Sequence, residues 1–201
     1  MSSRAYRARS RPKRSEETRE RIKAAVRELL AEGTFHESTV EEVADRAGVS
    51  RATLYQHFRS RVELVDAICE TFDLNPALLR LRETVDGPDP GAALADTVAD
   101  AVRFWSSEDP VLRHLYGVAS IDPAAQDLVD RQRADRRTEL ERLARNLSRS
   151  RRLREGMNEQ RAVSLLLVLT SYDTFRELRE AGLTDRQLTT TLQQAARDLL
   201  T

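Results

Sequence analysis

The feature that most constrains how this chain folds is a pair of short helix-forming segments joined through a glycine, in residues 38–58, STVEEVADRAGVSRATLYQHF. Two overlapping capping boxes predict where the first segment begins; they pair Ser38 with Glu41 and Thr39 with Glu42. Gly48 predicts its end, and Ser50 restarts the chain after a turn of about three or four residues. The sequence therefore predicts a helix-turn-helix.

The second segment has one narrow apolar side. At about 100° per residue, Phe58 lies about 40° from Leu54, and these are the large side chains that can anchor the segment to a core. Ala52 and Gln56 fall about 160° and 200° from Leu54, on the opposite side. The outermost ridge is thus one methyl group and one amide.

A ridge of this kind can enter the major groove of DNA. There Gln56 can bond an adenine edge, Thr53 and Ala52 can contact thymine methyl groups, and an arginine in the first turn can reach guanine or phosphate. The candidate base readers are Arg51, Ala52, Thr53 and Gln56. On the flanks, Tyr55 and His57 carry donors suited to phosphate oxygens. A solvated helix with no partner would show the same polar face, so the pattern alone leaves that alternative open.

Residues 39–68, TVEEVADRAGVSRATLYQHFRSRVELVDAI, resemble the DNA-binding domain of TetR-type transcriptional regulators, and the resemblance covers roughly residues 15–70. It implies that Thr39 caps a helix near a phosphate and that Tyr55, His57 and Arg61 hold the DNA backbone. It assigns base contacts to the same readers as the helix geometry. Ala52 departs from the family pattern, where many relatives have glycine, and alanine is the better helix former.

The N-terminus is a basic arm on a chain that is neutral overall. The chain has 33 basic and 33 acidic residues, whereas the first fourteen residues carry six positive charges and no acid. We expect residues 1–14 to be a disordered arm in the free protein, long enough to follow a minor groove of DNA. The candidate minor-groove residues are Arg7, Arg9, Arg11 and Arg14.

Helical periodicity continues through the rest of the chain, and no strand pattern interrupts it. A helix is predicted from Ser15 to the stop at Gly33, so residues 15–60 form a three-helix DNA-binding domain. Residues 61–201 form a larger helical domain for ligand binding and dimerisation, as the resemblance implies. Its predicted helices cover 61–84, 90–106, 110–119, 123–150, 159–181 and 185–200. The expected fold is all-α, with about nine helices.

The last two predicted helices resemble a subunit interface. Residues 162–169 are apolar on nearly every side, more than one core can easily bury. The candidate interface residues are Leu165, Leu166, Leu169, Leu188, Leu192, Ala195 and Leu199. An ordinary buried helix within one subunit is the alternative. The TetR resemblance favours a homodimer through this pair, and a dimer predicts a palindromic operator.

Aromatic residues of the larger domain are candidates for a ligand pocket with a few polar groups. They are Phe72, Phe104, Trp105, His114, Tyr116, Tyr172 and Phe175. Each of them alone fits an ordinary core equally well. The resemblance implies that the domain holds an unidentified small-molecule effector.

Other functions find little support in the sequence. The three histidines are widely separated, no metal-ligand or nucleophile pattern occurs, and the one cysteine, Cys69, has apolar neighbours. We therefore expect no catalysis, cofactor or metal, and a cytoplasmic protein without a membrane span. The predicted function is a ligand-responsive repressor that binds double-stranded DNA as a homodimer and is released by its effector. The alternative is a helical interaction or structural module without specific DNA binding.

Overall fold

The computed structural model describes residues 3–201, with side chains from Lys13 onward, and these residues form ten helices and no strand. The all-α prediction is confirmed. The helices are α1 Ser3–Glu32, α2 Val40–Arg46, α3 Arg51–His57, α4 Arg61–Phe72, α5 Pro76–Thr84, α6 Pro90–Ala119, α7 Pro123–Arg149, α8 Glu159–Leu169, α9 Tyr172–Glu180 and α10 Asp185–Leu200.

The chain forms two compact units. The first unit comprises Met1–Thr71 and Pro110–Leu128, and the second comprises Phe72–Asp109 and Val129–Thr201. Helices α4, α6 and α7 each contribute residues to both. The predicted domains 15–60 and 61–201 stay a prediction.

Helix α1 begins before the predicted cap, because Ser15 lies inside Ser3–Glu32. The predicted end is confirmed: Gly33 has φ 77°, and its N–H donates to the Leu30 carbonyl at 3.0 Å. Of the predicted arm, Arg7, Arg9 and Arg11 lie outside the described side chains, and Arg14 is exposed. Their minor-groove role stays a prediction.

The helix-turn-helix forms as predicted. Helices α2 and α3 are joined by residues 47–50, and Gly48 takes φ 63° in the turn. Helix α2 packs between α1 and α3. The core of the first unit is apolar; it includes Ile22, Val26, Leu30, Val43, Leu54, Phe58, Leu64 and Ile68.

Two predicted helices are wrong, because each is divided in the structure. The helix predicted over 61–84 is α4 and α5, since Asn75 accepts a bond from the Ala77 N–H at 2.9 Å and Pro76 begins the second helix. The helix predicted over 159–181 is α8 and α9, since Ser171 accepts a bond from the Thr174 N–H at 3.0 Å. Both breaks are ordinary capping signals inside longer apolar patterns.

The prediction of separate helices before and after Pro110 is also wrong, because α6 continues through this residue. A proline inside a helix removes one backbone bond and crowds the preceding turn, at a cost of about 3 kcal/mol. Buried side chains on both sides, Phe104 and Trp105 before it and Val111 and Leu112 after it, offset that cost.

The second unit is a helical core built on α6, α7 and the C-terminal helices. Helix α10 packs on α8 and α9. The buried residues include Leu94, Val98, Val102, Leu140, Leu143, Leu147, Leu166, Leu188 and Leu192. Within the described part of the chain, every helix is too short or too polar to cross a lipid bilayer.

Candidate nucleic-acid interface

Helix α3 presents the predicted polar ridge. Leu54 and Phe58 are each 1% exposed, whereas Ala52 and Gln56 on the opposite side are exposed. Ser50 fixes where the helix begins, because its hydroxyl accepts the Thr53 N–H at 3.1 Å. The expected two-sided character of α3 is therefore present in the folded chain.

Arg51 lies at the point where α2 and α3 meet. Its guanidinium forms an ion pair with Glu41 of α2 and lies 5.5 Å from the centre of the Tyr55 ring. The side-chain hydrogen bond with Tyr55, followed by the attraction of Glu41, raises the pKa of Arg51 above its usual value. Glu41 was missed as a member of this cluster, because a contact between two helices leaves no periodic signal in the sequence.

Thr39 is the cap of α2. Its hydroxyl accepts the Glu42 N–H at 3.2 Å, and the Glu42 carboxylate accepts the Thr39 N–H in return. The bonds that the Thr39 N–H and then the Thr39 hydroxyl donate to this carboxylate lower the pKa of Glu42 below its usual value. The alternative box at Ser38 does not form, because the Ser38 hydroxyl donates to the Phe35 carbonyl at 2.8 Å.

Arg61 is used inside the first unit. Its guanidinium donates to the carbonyls of Phe35 and Ser38 and lies 4.3 Å from the Phe35 ring centre. Burial lowers the pKa of Arg61. The guanidinium that the resemblance assigned to the DNA backbone thus also bonds within the protein. Through these bonds Arg61 connects the start of α4 to the segment before α2.

Two arginines of α1 contact residues of the helix-turn-helix, and the sequence predicted neither contact. Arg19 lies 4.4 Å from the Phe58 ring centre and donates to the His57 carbonyl at 3.4 Å. Arg21 donates to the carbonyls of Ala47 and Gly48 at 3.4 and 3.3 Å. The sequence gives no signal for them, because they lie on the polar face of α1.

Five of the seven predicted pocket residues lie together in the second unit. Ring centres are 5.9 Å apart for Phe72 and Phe104, 4.7 Å for Phe104 and Trp105, and 5.4 Å for Trp105 and Tyr172. Phe175 stacks on Tyr172 at 6.1 Å. All five are buried.

Polar groups accompany these rings. The Tyr172 hydroxyl donates to Asp109 at 2.6 Å, and the Trp105 ring N–H donates to the Thr170 carbonyl at 2.9 Å. Arg136 donates to the same carbonyl at 2.7 Å. The other two predicted pocket residues, His114 and Tyr116, belong to the first unit.

The predicted interface residues divide by burial. Leu166, Leu188 and Leu192 are buried within the single chain and form part of its own core. Leu165, Leu169 and Ala195 are half-buried. Leu199 is 39% exposed, and Val168, which the prediction omitted, is 62% exposed.

Metal-binding groups are not gathered anywhere in the described residues: no three His, Cys, Asp or Glu side chains lie close enough to hold an ion. Cys69 is buried, as its apolar neighbours predicted.

Proteins similar in sequence include regulators that are named for a helix-turn-helix. The HTH-type transcriptional regulator UidR of Escherichia coli is 39% identical over 70 residues, which is 35% of this chain and 35% of UidR. The HTH-type transcriptional regulator YdeS of Bacillus subtilis is 31% identical over 118 residues, 57% of this chain and 55% of YdeS. The chain thus matches about a third to about half of the length of these curated relatives.

Solved structures match over nearly the whole chain. NalD, the secondary repressor of the MexAB-OprM multidrug efflux pump in Pseudomonas aeruginosa, is 26% identical with a TM-score of 0.71, covering 93% of this chain and 97% of NalD. A TetR-family regulator structure from Rhodococcus has a TM-score of 0.73 at 18% identity, covering 92% of this chain and 100% of that one, which shows the shared fold.

The capped turn between α2 and α3, the exposed ridge of α3 and the second helical unit define a helix-turn-helix protein with a larger helical C-terminal part. Residues 22–68 match the family described as bacterial regulatory proteins, tetR family. By this match, the chain carries the DNA-binding domain of TetR-type regulators.

Proposed function

We propose that this protein is a ligand-responsive transcriptional repressor that binds a palindromic operator as a homodimer and is released by a small-molecule effector. The observation that carries the proposal is the outer face of α3, where Ala52 and Gln56 are exposed opposite the buried Leu54 and Phe58. A short capped helix with this profile fits the major groove.

The readers have separate tasks. Gln56 bonds an adenine edge, and Ala52 and Thr53 contact thymine methyl groups. Arg51 reaches guanine. Exposed Tyr55 and the half-buried His57, with Thr39 at the α2 cap, contact phosphates and set the register on DNA. Arg61 belongs to the same proposed set: its guanidinium donates to two carbonyls, and an arginine carries five N–H donors.

Dimerisation supplies the second reading helix. A single chain leaves Val168 and Leu199 exposed on α8 and α10, which is the pair of helices that the TetR resemblance assigns to the interface. Two copies related by a two-fold axis would bury these side chains and present two α3 helices to successive major-groove faces. The operator is therefore palindromic.

We propose that the effector binds among the buried rings of the second unit, from Phe72 to Phe175, with the hydroxyl of Tyr172 and the guanidinium of Arg136 as polar partners. SmeT, which shares the fold of this chain, has been solved as a complex with triclosan. An effector that prefers a changed arrangement of these helices shifts the population away from the DNA-binding form. A hundredfold loss of operator affinity needs about 2.7 kcal/mol of coupling.

Repression is the proposed outcome, although named relatives act in both directions. BepR of Brucella suis is a repressor, and FasR of Mycolicibacterium smegmatis is an activator. NalD, which matches this chain over nearly its whole length, is a repressor. Binding to the chromosome implies a cytoplasmic location.

Selection of bound oligonucleotides from a random pool tests the function directly. We expect an inverted repeat, because two α3 helices read one duplex. Gln56→Ala should relax base preference within each half-site, whereas Tyr55→Phe should weaken binding to all sequences about equally. A pool that shows no enrichment would support the interaction-module alternative.

A further inference from the structure

Glu41 is an acidic residue in the middle of a surface proposed to contact DNA. It lies in the first turn of α2 and forms an ion pair with Arg51, the first residue of α3. The centre of the Tyr55 ring lies 5.5 Å from the same guanidinium. These three side chains form a cluster, the Glu41–Arg51–Tyr55 cluster, that joins α2 to the DNA-facing side of α3.

We propose that Glu41 is a specificity-determining residue, whose carboxylate orients Arg51 toward a base edge and prevents it from binding DNA phosphates indiscriminately. The proposal rests on the proposed function. It adds a role for an acidic side chain that the base and phosphate readers do not include.

The ion pair matters for orientation more than for stability. Arg51 and Glu41 are 60% and 53% exposed, and exposed ion pairs contribute little to the folded state. An arginine carries five N–H donors in a planar fork. Glu41 engages one terminal nitrogen, and the Tyr55 ring limits the plane in which the fork can lie. The remaining donors stay available for the two acceptors of guanine.

The same carboxylate opposes non-specific binding. Non-specific affinity comes mainly from cations that neutralise phosphates and release counterions. A carboxylate paired with Arg51 cancels the charge of that cation and is itself repelled by nearby phosphates. Non-specific binding therefore loses a full contact, whereas a correctly placed guanine still receives the oriented donors. The ratio of specific to non-specific affinity rises as a result.

The neighbouring residue Glu42 provides a matched comparison. It carries the same charge on the same turn of α2, but its carboxylate accepts bonds from Thr39 in the capping box. Glutamine can serve in a capping box, so Glu42→Gln removes one negative charge and leaves both the cap and the Arg51 pair in place.

The test uses the full-length chain with two duplexes, the operator selected from the random pool and a scrambled sequence of equal length. Binding to each is measured across a range of salt concentrations. For Glu41→Gln on scrambled DNA, log affinity against log salt should become steeper by about 0.9, since one further cation is freed for phosphate. That change corresponds to about eightfold tighter binding at 0.1 M salt. Operator affinity should change less, so the specificity ratio should fall several-fold.

Two further variants separate the cluster from a general charge effect. Glu42→Gln should leave the salt slope and the specificity ratio close to those of the parent. In an Arg51→Ala background, Glu41→Gln should have no more effect than Glu42→Gln, because there is no guanidinium to release.

Three results would overturn the proposal: a Glu41→Gln protein that behaves like the parent, Glu41 and Glu42 variants with equal effects, or an undiminished Glu41 effect without Arg51. A parent that binds the two duplexes equally at every salt concentration would instead overturn the proposed function. Melting curves of all variants, expected to show one cooperative transition well above the temperature of the binding measurements, exclude loss of folding as the cause.

Discussion

Two features favour glycine at position 33: a left-handed backbone conformation and a side chain close to the place where a Cβ would lie. The φ of Gly33 is 77°, and a Cβ added there would lie 2.6 Å from the Nε2 atom of His114. Gly33→Ala should therefore lower the stability of the first unit by more than the about 1–2 kcal/mol that a left-handed residue with a side chain costs. Urea unfolding followed by circular dichroism measures the change.

Gly156 supplies the control for the steric part. It has the same φ of 77°, but a Cβ there would meet nothing within 4 Å. Gly156→Ala should show the conformational cost alone. Adding His114→Ala to Gly33→Ala should recover the excess, and equal losses for the two single glycine variants would contradict a steric role for His114.

The two features of Gly33 differ in how far the sequence foretells them. Glycine after a run of helical apolar residues predicts the stop, because only local geometry is involved. The contact with His114 joins residues far apart in the chain, and no spacing rule indicates it. For the same reason the engagement of Arg61 by the Phe35 and Ser38 carbonyls could not be anticipated.

At the scale of a helix, the cap of α2 gives stability a pH dependence of known sign. The Thr39 backbone N–H, and then its hydroxyl, hold the pKa of Glu42 below the usual value. A carboxylate whose pKa is lower when folded stabilises the fold fully above its unfolded pKa of about 4.3, and this contribution disappears as pH falls through the folded value.

Glu42→Gln tests that sign. The neutral amide keeps the cap geometry but has no charge to titrate. The parent should melt above the variant at about pH 7, and the difference should shrink as pH falls below about 4. Thermal melts of both proteins across this range measure it, and a difference that does not vary with pH would show that the carboxylate charge is irrelevant to the cap.

The sequence predicted helix boundaries where a capping residue coincided with a change in composition. It did not predict them where tertiary packing determined whether the helix ended. Thr184 and Gln187 form a capping box at the start of α10, where a helix was predicted over 185–200. Asn75–Pro76 carries an equally good start signal, but the apolar stripe that continues through it concealed the break. At Pro110 the local signal was present and burial on both sides overruled it.

For the whole molecule, the decisive property is whether two chains associate through α8 and α10. The leucines that periodicity selected include Leu166, Leu188 and Leu192, which are buried in the single chain. Periodicity identifies apolar faces but cannot tell an internal face from an interface. Exposure in the folded chain does separate them, and it selects Val168 and Leu199.

Val168→Glu combined with Leu199→Glu should therefore give a folded monomer. Two charges placed in an apolar interface would have to be buried without partners, which association cannot compensate. Sedimentation equilibrium measures the mass. Because a monomer engages one half-site at a time, affinity for the palindromic operator should fall by at least about 100-fold, while the preferred half-site bases remain the same.

Leu79→Glu is the matched control, since Leu79 is also exposed, at 43%, but lies on α5 outside the proposed interface. It should leave mass and operator affinity unchanged. A double variant that still sediments as a dimer would place the interface elsewhere on the chain. A monomer that retained full operator affinity would show instead that one α3 helix suffices, and the palindrome would then have no structural cause.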